Sequence, residues 1–127
     1  SSVMTGKYPV RTGVSDWIPG RAQWPSAKLL TPRTALQMKR EEVTLAERLR
    51  DAGYATASIG KWHLGGQGFG PEDQGFDWNV GGDHRGSNPY FGPFDLPRLA
   101  GRRKTDYLTD ELQKAAREWV AEQSAKQ

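Results

Sequence analysis

The sequence of 127 residues contains no cysteine. Within these residues it can therefore form neither a disulfide bond nor a thiolate metal site, and it offers no cysteine nucleophile. No apolar run approaches the roughly 20 residues that a membrane helix needs, and the first residues have neither the charged nor the apolar region of a signal peptide. Only 35% of the residues are hydrophobic, so we expect much of the chain to lie against other protein.

Long runs of acidic or basic residues are also missing. Lys and Arg total 18 and Asp and Glu total 15, which gives a net charge of +3, and the two signs alternate along the chain. This pattern argues against nucleic-acid binding and mildly favours small anionic ligands. The length suits one domain. Because Ser1 is not an initiating methionine, we expect the chain to begin inside a longer one.

The start of the chain predicts a short helix followed by a long irregular segment. Gly6 favours the end of the first helix, and we expect Pro9 to prevent the helix from resuming. Residues 10–40 contain glycine and proline throughout, together with Trp17 and Trp24. A segment of this length without regular structure is typical of a surface excursion.

A capped helix is predicted over residues 43–53. Thr44 and Glu47 fit a capping box, and Gly53 fits a left-handed helix end. The spacing of three apolar residues predicts one apolar stripe along this helix, formed by Leu45, Leu49 and Ala52. The residues after Gly53 predict a strand, and a helix followed directly by a strand is half of an α/β unit.

Two more elements are predicted nearer the end of the chain. Residues 75–80 could form a short strand, and a final helix is expected from about residue 110 to residue 122 with Thr109 as its cap. The apolar residues of that helix predict a buried face made of Leu112, Ala115, Ala116, Trp119 and Val120. The sequence contains no internal repeat.

The stretch over residues 53–65 carries the chemistry. Small and β-branched residues predict a strand, which then leads into Lys61 and His63. In an extended chain these two side chains point to one face while Trp62 points to the other. An ammonium group and an imidazole on one face suit a tetrahedral oxyanion.

This stretch resembles a known signature. Residues 53–63, which end in Gly-Lys-Trp-His, resemble the second signature of the sulfatase family throughout. Residues 1–9 are similar to the tail of the family's first signature, from just after its arginine. The resemblance implies an α/β fold, as part of an alkaline-phosphatase-like sulfatase domain, with a helix–strand unit, long loops and a further helix. Residues 1–127 would then be a partial catalytic domain without its nucleophile segment and C-terminal remainder.

The resemblance also implies a mechanism for the parent protein, namely hydrolysis of a sulfate ester by a formylglycine nucleophile and a divalent cation, with calcium favoured over magnesium. Lys61 would contact the sulfate oxygens, and His63 would contact the formylglycine diol. Cationic donors of this kind stabilise the negative charge of a sulfuryl transfer transition state, and histidine can exchange protons near neutral pH. The nucleophile and the metal ligands fall outside this chain, so we expect the fragment to bind no metal and to be inactive alone. The family also suggests a periplasmic, secreted or lysosomal location.

His84 is a further candidate for substrate binding. Its context, Gly-Gly-Asp-His-Arg-Gly-Ser, resembles a loop that borders the substrate in sulfatases, although an exposed loop histidine is the simpler interpretation. The tryptophans at positions 17, 24 and 78 could stack on a ring of the substrate, but we favour the interpretation that they cover the core.

Two other functions stay open. The parent protein could be a phosphatase or phosphodiesterase of the same superfamily, because a metal and cationic donors serve both chemistries. It could also be a non-catalytic module that binds sulfated glycans. The expected partners are a small or glycan sulfate ester and the rest of the parent domain, with no nucleic acid and no membrane span.

Overall fold

The computed structural model describes residues 1–86, 88–99 and 102–126. It contains four α-helices: α1 (Ser2–Thr5), α2 (Pro9–Thr12), α3 (Leu45–Asp51) and α4 (Leu108–Ser124). Two strands, β1 (Ala57–Ile59) and β2 (Trp78–Val80), pair in parallel, and a short 3₁₀ helix (Glu72–Gln74) lies between them. Parallel strands combined with helices confirm the predicted α/β class. In the described ranges, no helix combines the length and apolar character that crossing a membrane requires.

The helix α3 begins as its sequence predicts. The Thr44 hydroxyl accepts a hydrogen bond from the Glu47 amide at 3.1 Å, and the Glu47 carboxylate accepts one from the Thr44 amide at 2.7 Å. The Thr44 hydroxyl also donates to the Gln74 carbonyl at 2.7 Å, which ties the start of α3 to the turn before β2. Gly53 has φ of +86° and ends the helix. Local capping chemistry therefore fixes both ends of α3.

The expected apolar stripe of α3 is not buried. Leu45 is 51% exposed and lines an open groove beside α1, whereas Ala46 is the buried residue of the helix. The reason is the close approach of the turn before β2, because a Cβ added to Gly75 would lie 2.4 Å from Cγ of Glu47. This turn covers one side of α3 and leaves the leucine side open.

The beginning of the chain corrects one prediction. Gly6 ends α1 in the left-handed conformation, as expected. Pro9, however, starts the helix α2 instead of preventing it. Proline is well suited to the first helical position, since the amide hydrogen that it lacks would have no partner there and its φ is already helical. Of the segment predicted to be irregular, residues 10–40, the first three residues belong to α2, and the rest contains neither helix nor strand.

The helix α4 differs from its prediction at the cap and on one face. It starts at Leu108, so Thr109 lies inside the helix, and no side chain caps its N-terminus. Val120 is exposed, whereas Leu112, Ala115, Ala116 and Trp119 are half-buried. The ring of Trp119 stacks on Trp78 of β2 with centroids 6.2 Å apart. The helix α4 therefore packs against β2 through fewer apolar residues than its sequence pattern predicted.

The hydrophobic core lies behind β2. It consists of the buried residues Val80, Phe94, Leu96 and Leu99, with Leu108 and Leu112 packed against them. Backbone bonds from Gly60 to Val80 at 2.8 Å and from Gly81 to Pro97 at 2.9 Å join this core to the ends of both strands. The segment that follows β1, which contains Lys61 and His63, is anchored by these contacts.

Candidate active site

The strand β1 is shorter than the sequence suggested. It ends at Ile59, and Gly60 turns the chain with φ of +99°. His63 also has a positive φ, +54°, so the segment from Lys61 to His63 is not extended. The predicted extended conformation of this segment is therefore wrong. Lys61 and His63 nevertheless line one cleft, at the carboxyl end of β1.

Trp62 anchors this segment to the interior. Its side chain is buried, its indole N–H donates to the Phe69 carbonyl at 2.9 Å, and its ring meets Phe76 edge-on with centroids 6.1 Å apart. Lys61 is exposed, and its ammonium group takes part in none of the ion pairs that the structure describes. The anchor thus presents a lysine whose charge is available for a ligand.

His63 is held from three sides. Its amide donates to the Asp83 carbonyl at 2.9 Å, its Nε2 lies 2.7 Å from the Ile18 carbonyl, and its ring lies against Gly86. A carbonyl oxygen only accepts hydrogen bonds, so Nε2 must carry the proton in this contact. In the neutral ring Nδ1 then holds the lone pair, which fits it to accept a proton.

The cleft that contains both residues has a volume of about 470 Å³ and draws on two distant parts of the chain. One wall is the segment 61–64, and the opposite wall comes from residues 14–18 and the first residues of the chain. The carboxylate of Asp16 lies in this cleft, but it forms an ion pair of 3.1 Å with Arg21. Because that negative charge is compensated and the described residues give Lys61 no ion pair, the ammonium group of Lys61 leaves the cleft with an excess of positive charge.

His84 lies elsewhere. It is exposed and lines a separate cleft of about 190 Å³, together with Gly66 and Asp73. The structure therefore brings Lys61 and His63 together but places His84 in the neighbouring depression. Ser87, the last residue of the His84 loop motif, lies outside the described residues.

The loop between these clefts is fixed by an ion pair. Arg85 bonds to the Asp83 carboxylate at 2.5 Å and also contacts Asp95. Burial by itself would raise the pKa of the Asp83 carboxyl, but the hydrogen bonds from Arg85 outweigh it and hold that pKa below its usual value. Asp83 is therefore ionised while its backbone carbonyl holds His63.

A resident metal ion does not fit these residues. Within the described ranges, no group of three or more His, Cys, Asp or Glu side chains comes together in a way that could hold one.

Sequence reasoning missed two residues that hold His63, and for Trp17 it favoured the core over the cleft. Ile18 supplies the carbonyl that bonds His63, Gly86 provides the space for the ring, and Trp17 forms part of the wall. Trp17 and Trp24 are exposed, so neither covers the core as predicted, whereas Trp78 is half-buried and packs against it. No local sequence pattern indicates the roles of Ile18 and Gly86, which depend on contacts between distant segments.

The comparisons with known proteins agree on one family. The Sulfatase family model matches residues 1–127. Arylsulfatase G of Rattus norvegicus is 58% identical over 82 residues, which cover 64% of this chain and 13% of that protein. Steryl-sulfatase of Homo sapiens is 40% identical over 65 residues, which cover 51% of this chain and 10% of that protein. The match therefore spans about a tenth of the length of these relatives.

A solved structure shares the fold. The crystal structure of Ps i-CgsB superposes with a TM-score of 0.70 at 21% identity, covering 99% of this chain and 30% of that one.

Proposed function

Because this chain belongs to the sulfatase family, we propose that it forms one wall of the active site of an enzyme that hydrolyses sulfate esters. Residues 1–127 are then one part of a sulfatase catalytic domain. The observation that supports this most directly is the common cleft of Lys61 and His63. An ammonium group that the described residues leave without an ion pair, together with a positioned imidazole, suits the binding and hydrolysis of a sulfate ester.

In this proposal Lys61 binds the sulfate oxygens and stabilises the negative charge that they carry in the transition state. His63 donates from Nε2 to the Ile18 carbonyl, so its Nδ1 is the atom that exchanges a proton with the reacting groups. His84, in the neighbouring cleft, would contact a more distant part of the substrate.

The proposal assigns the remaining groups to residues outside this chain. These are the nucleophile, a formylglycine, and the ligands of a divalent cation, calcium in preference to magnesium. When bound, the cation would supply positive charge at the sulfate. The residues of this chain supply the lysine, the histidine and the wall of the cleft beside them.

The relatives named arylsulfatase suggest an aryl sulfate as the first test substrate. The experiment measures hydrolysis of para-nitrophenyl sulfate and of para-nitrophenyl phosphate by the full-length protein. We expect kcat/KM for the sulfate to exceed that for the phosphate by at least about tenfold, a difference of about 1.4 kcal/mol in transition-state binding. Preference for the phosphate would favour a phosphatase or phosphodiesterase. Binding of sulfated sugar without hydrolysis of either ester would favour a glycan-binding module.

A further inference from the structure

We propose that Trp17 is a specificity residue, which selects sulfate esters carried on a ring by stacking its indole against that ring. The inference rests on the proposed function and deepens it by naming the residue that contacts the group carrying the sulfate, an arene or the C–H face of a sugar as opposed to a short alkyl chain.

The first support is the position of Trp17. Its side chain is 56% exposed, yet it lines the same cleft as Lys61 and His63. The next residue, Ile18, supplies the carbonyl that bonds His63 at 2.7 Å. Trp17 is therefore the direct neighbour in sequence of Ile18, whose carbonyl orients the imidazole of His63.

The second support is that the Trp17 segment is held in place. The Trp17 amide donates to the Asp16 carboxylate at 2.8 Å, and that carboxylate is paired with Arg21. The hydroxyl of Thr34 accepts hydrogen bonds from the amides of Ser15, at 3.1 Å, and Asp16, at 3.3 Å. The backbone that carries the indole therefore needs little ordering when a ligand arrives, which favours binding.

The third support is the chemistry of the cleft. Lys61 offers a charge for the anionic end of a ligand, whereas Pro9, Val14 and Leu64 add apolar surface. An exposed indole face beside such surface gains contact with a flat ring and gains much less with a short alkyl group. The cleft thus combines a positive charge for an anion with aromatic and apolar surface for a ring.

Binding of three sulfonates tests this, because a sulfonate resembles the sulfate group but cannot be hydrolysed. The probes are benzenesulfonate, sulfoquinovose, which is a sugar sulfonate, and methanesulfonate, which has no ring. Calorimetry on the full-length protein compares the wild type with Trp17→Ala, Trp17→Phe and Trp24→Ala. Trp24 is the matched control, because it is an exposed tryptophan of the same irregular segment and does not line the cleft.

We expect Trp17→Ala to raise the Kd of a ring sulfonate about tenfold and that of methanesulfonate less than about twofold. Trp17→Phe should restore most of the ring affinity, and Trp24→Ala should change none of the three. A selective effect on benzenesulfonate assigns the arene, and one on sulfoquinovose assigns the sugar face. Equal effects on all three probes, no effect on any, or no binding by the wild type would overturn the inference.

The same preparations separate this inference from the proposed function. Hydrolysis of para-nitrophenyl sulfate without a ring-selective effect at Trp17 overturns only the inference. Ring-selective binding without hydrolysis of any sulfate ester overturns the enzyme assignment and leaves Trp17 as a ring-binding residue.

Discussion

Gly86 lies directly against the imidazole ring of His63. A Cβ added at Gly86 would stand 2.6 Å from Cε1 of His63 and 3.1 Å from each ring nitrogen. The same ring also bonds the Ile18 carbonyl through Nε2. His63 is thus held by a backbone acceptor and closely approached by a glycine, and neither position can change without moving the ring.

The first prediction concerns this confinement. Gly86→Ala should displace the His63 ring and lower kcat/KM for para-nitrophenyl sulfate by about tenfold to a hundredfold, because small misplacements of reacting groups are costly. Gly66→Ala is the matched control, since its added Cβ would lie 3.5 Å from Cβ of His84, an ordinary contact. That variant should keep its activity within about twofold. Equal activities of the two variants would contradict the prediction.

The second prediction concerns Lys61. Lys61→Ala should lower kcat about a hundredfold to a thousandfold in the full-length protein, the typical loss for one donor to a developing oxyanion. Stability should change little, because Lys61 is exposed and the described part of the chain gives it no ion pair. Lys28→Ala, at an exposed loop position, serves as the control. A loss of less than about tenfold would show that Lys61 does not contact the reacting group.

The third prediction concerns the start of α3. Thr44→Ala removes the helix cap and leaves the Gln74 carbonyl without the hydroxyl that it accepts from. We expect a local destabilisation of about 2–3 kcal/mol, from the lost cap and the unsatisfied carbonyl together. Hydrogen exchange of a peptide covering α3 should accelerate accordingly. Thr44→Ser keeps the hydroxyl and should stay near the wild type, and equal acceleration in both variants would count against this account.

The fourth prediction concerns acid. The pKa of Asp83 is lowered in the folded protein, so its contribution to stability is fully present above the unfolded pKa and is lost as pH falls through the lower folded pKa. The unfolded value is near 3.8. The difference in melting temperature between the wild type and Asp83→Asn should therefore be constant above that pH and shrink below it. If the difference in melting temperature grew as the pH fell, the ion pair of Asp83 and Arg85 would not stabilise the fold in the way described.

The sequence by itself determined the elements whose causes are local. The capping box of Thr44 and Glu47 and the glycine ends at Gly6 and Gly53 depend on neighbouring residues, and they form as predicted. The same is true of the match between residues 53–63 and the family signature, which identified the family and drew attention to Lys61 and His63. Few of the predictions that rest on neighbouring residues were wrong. One of these concerned Pro9, which starts α2.

Tertiary structure alone decided which residues share the cleft. Nε2 of His63 bonds the carbonyl of Ile18, which lies 45 positions away in the sequence, and Gly86 lies against the His63 ring. His84 lines a different cleft. Packing also left the leucine side of α3 open and Trp17 exposed. Such contacts join segments with no local pattern in common, because they depend on how the core behind β2 and the loops around it pack. The sequence therefore pointed to Lys61 and His63, and the tertiary structure decided which residues surround them.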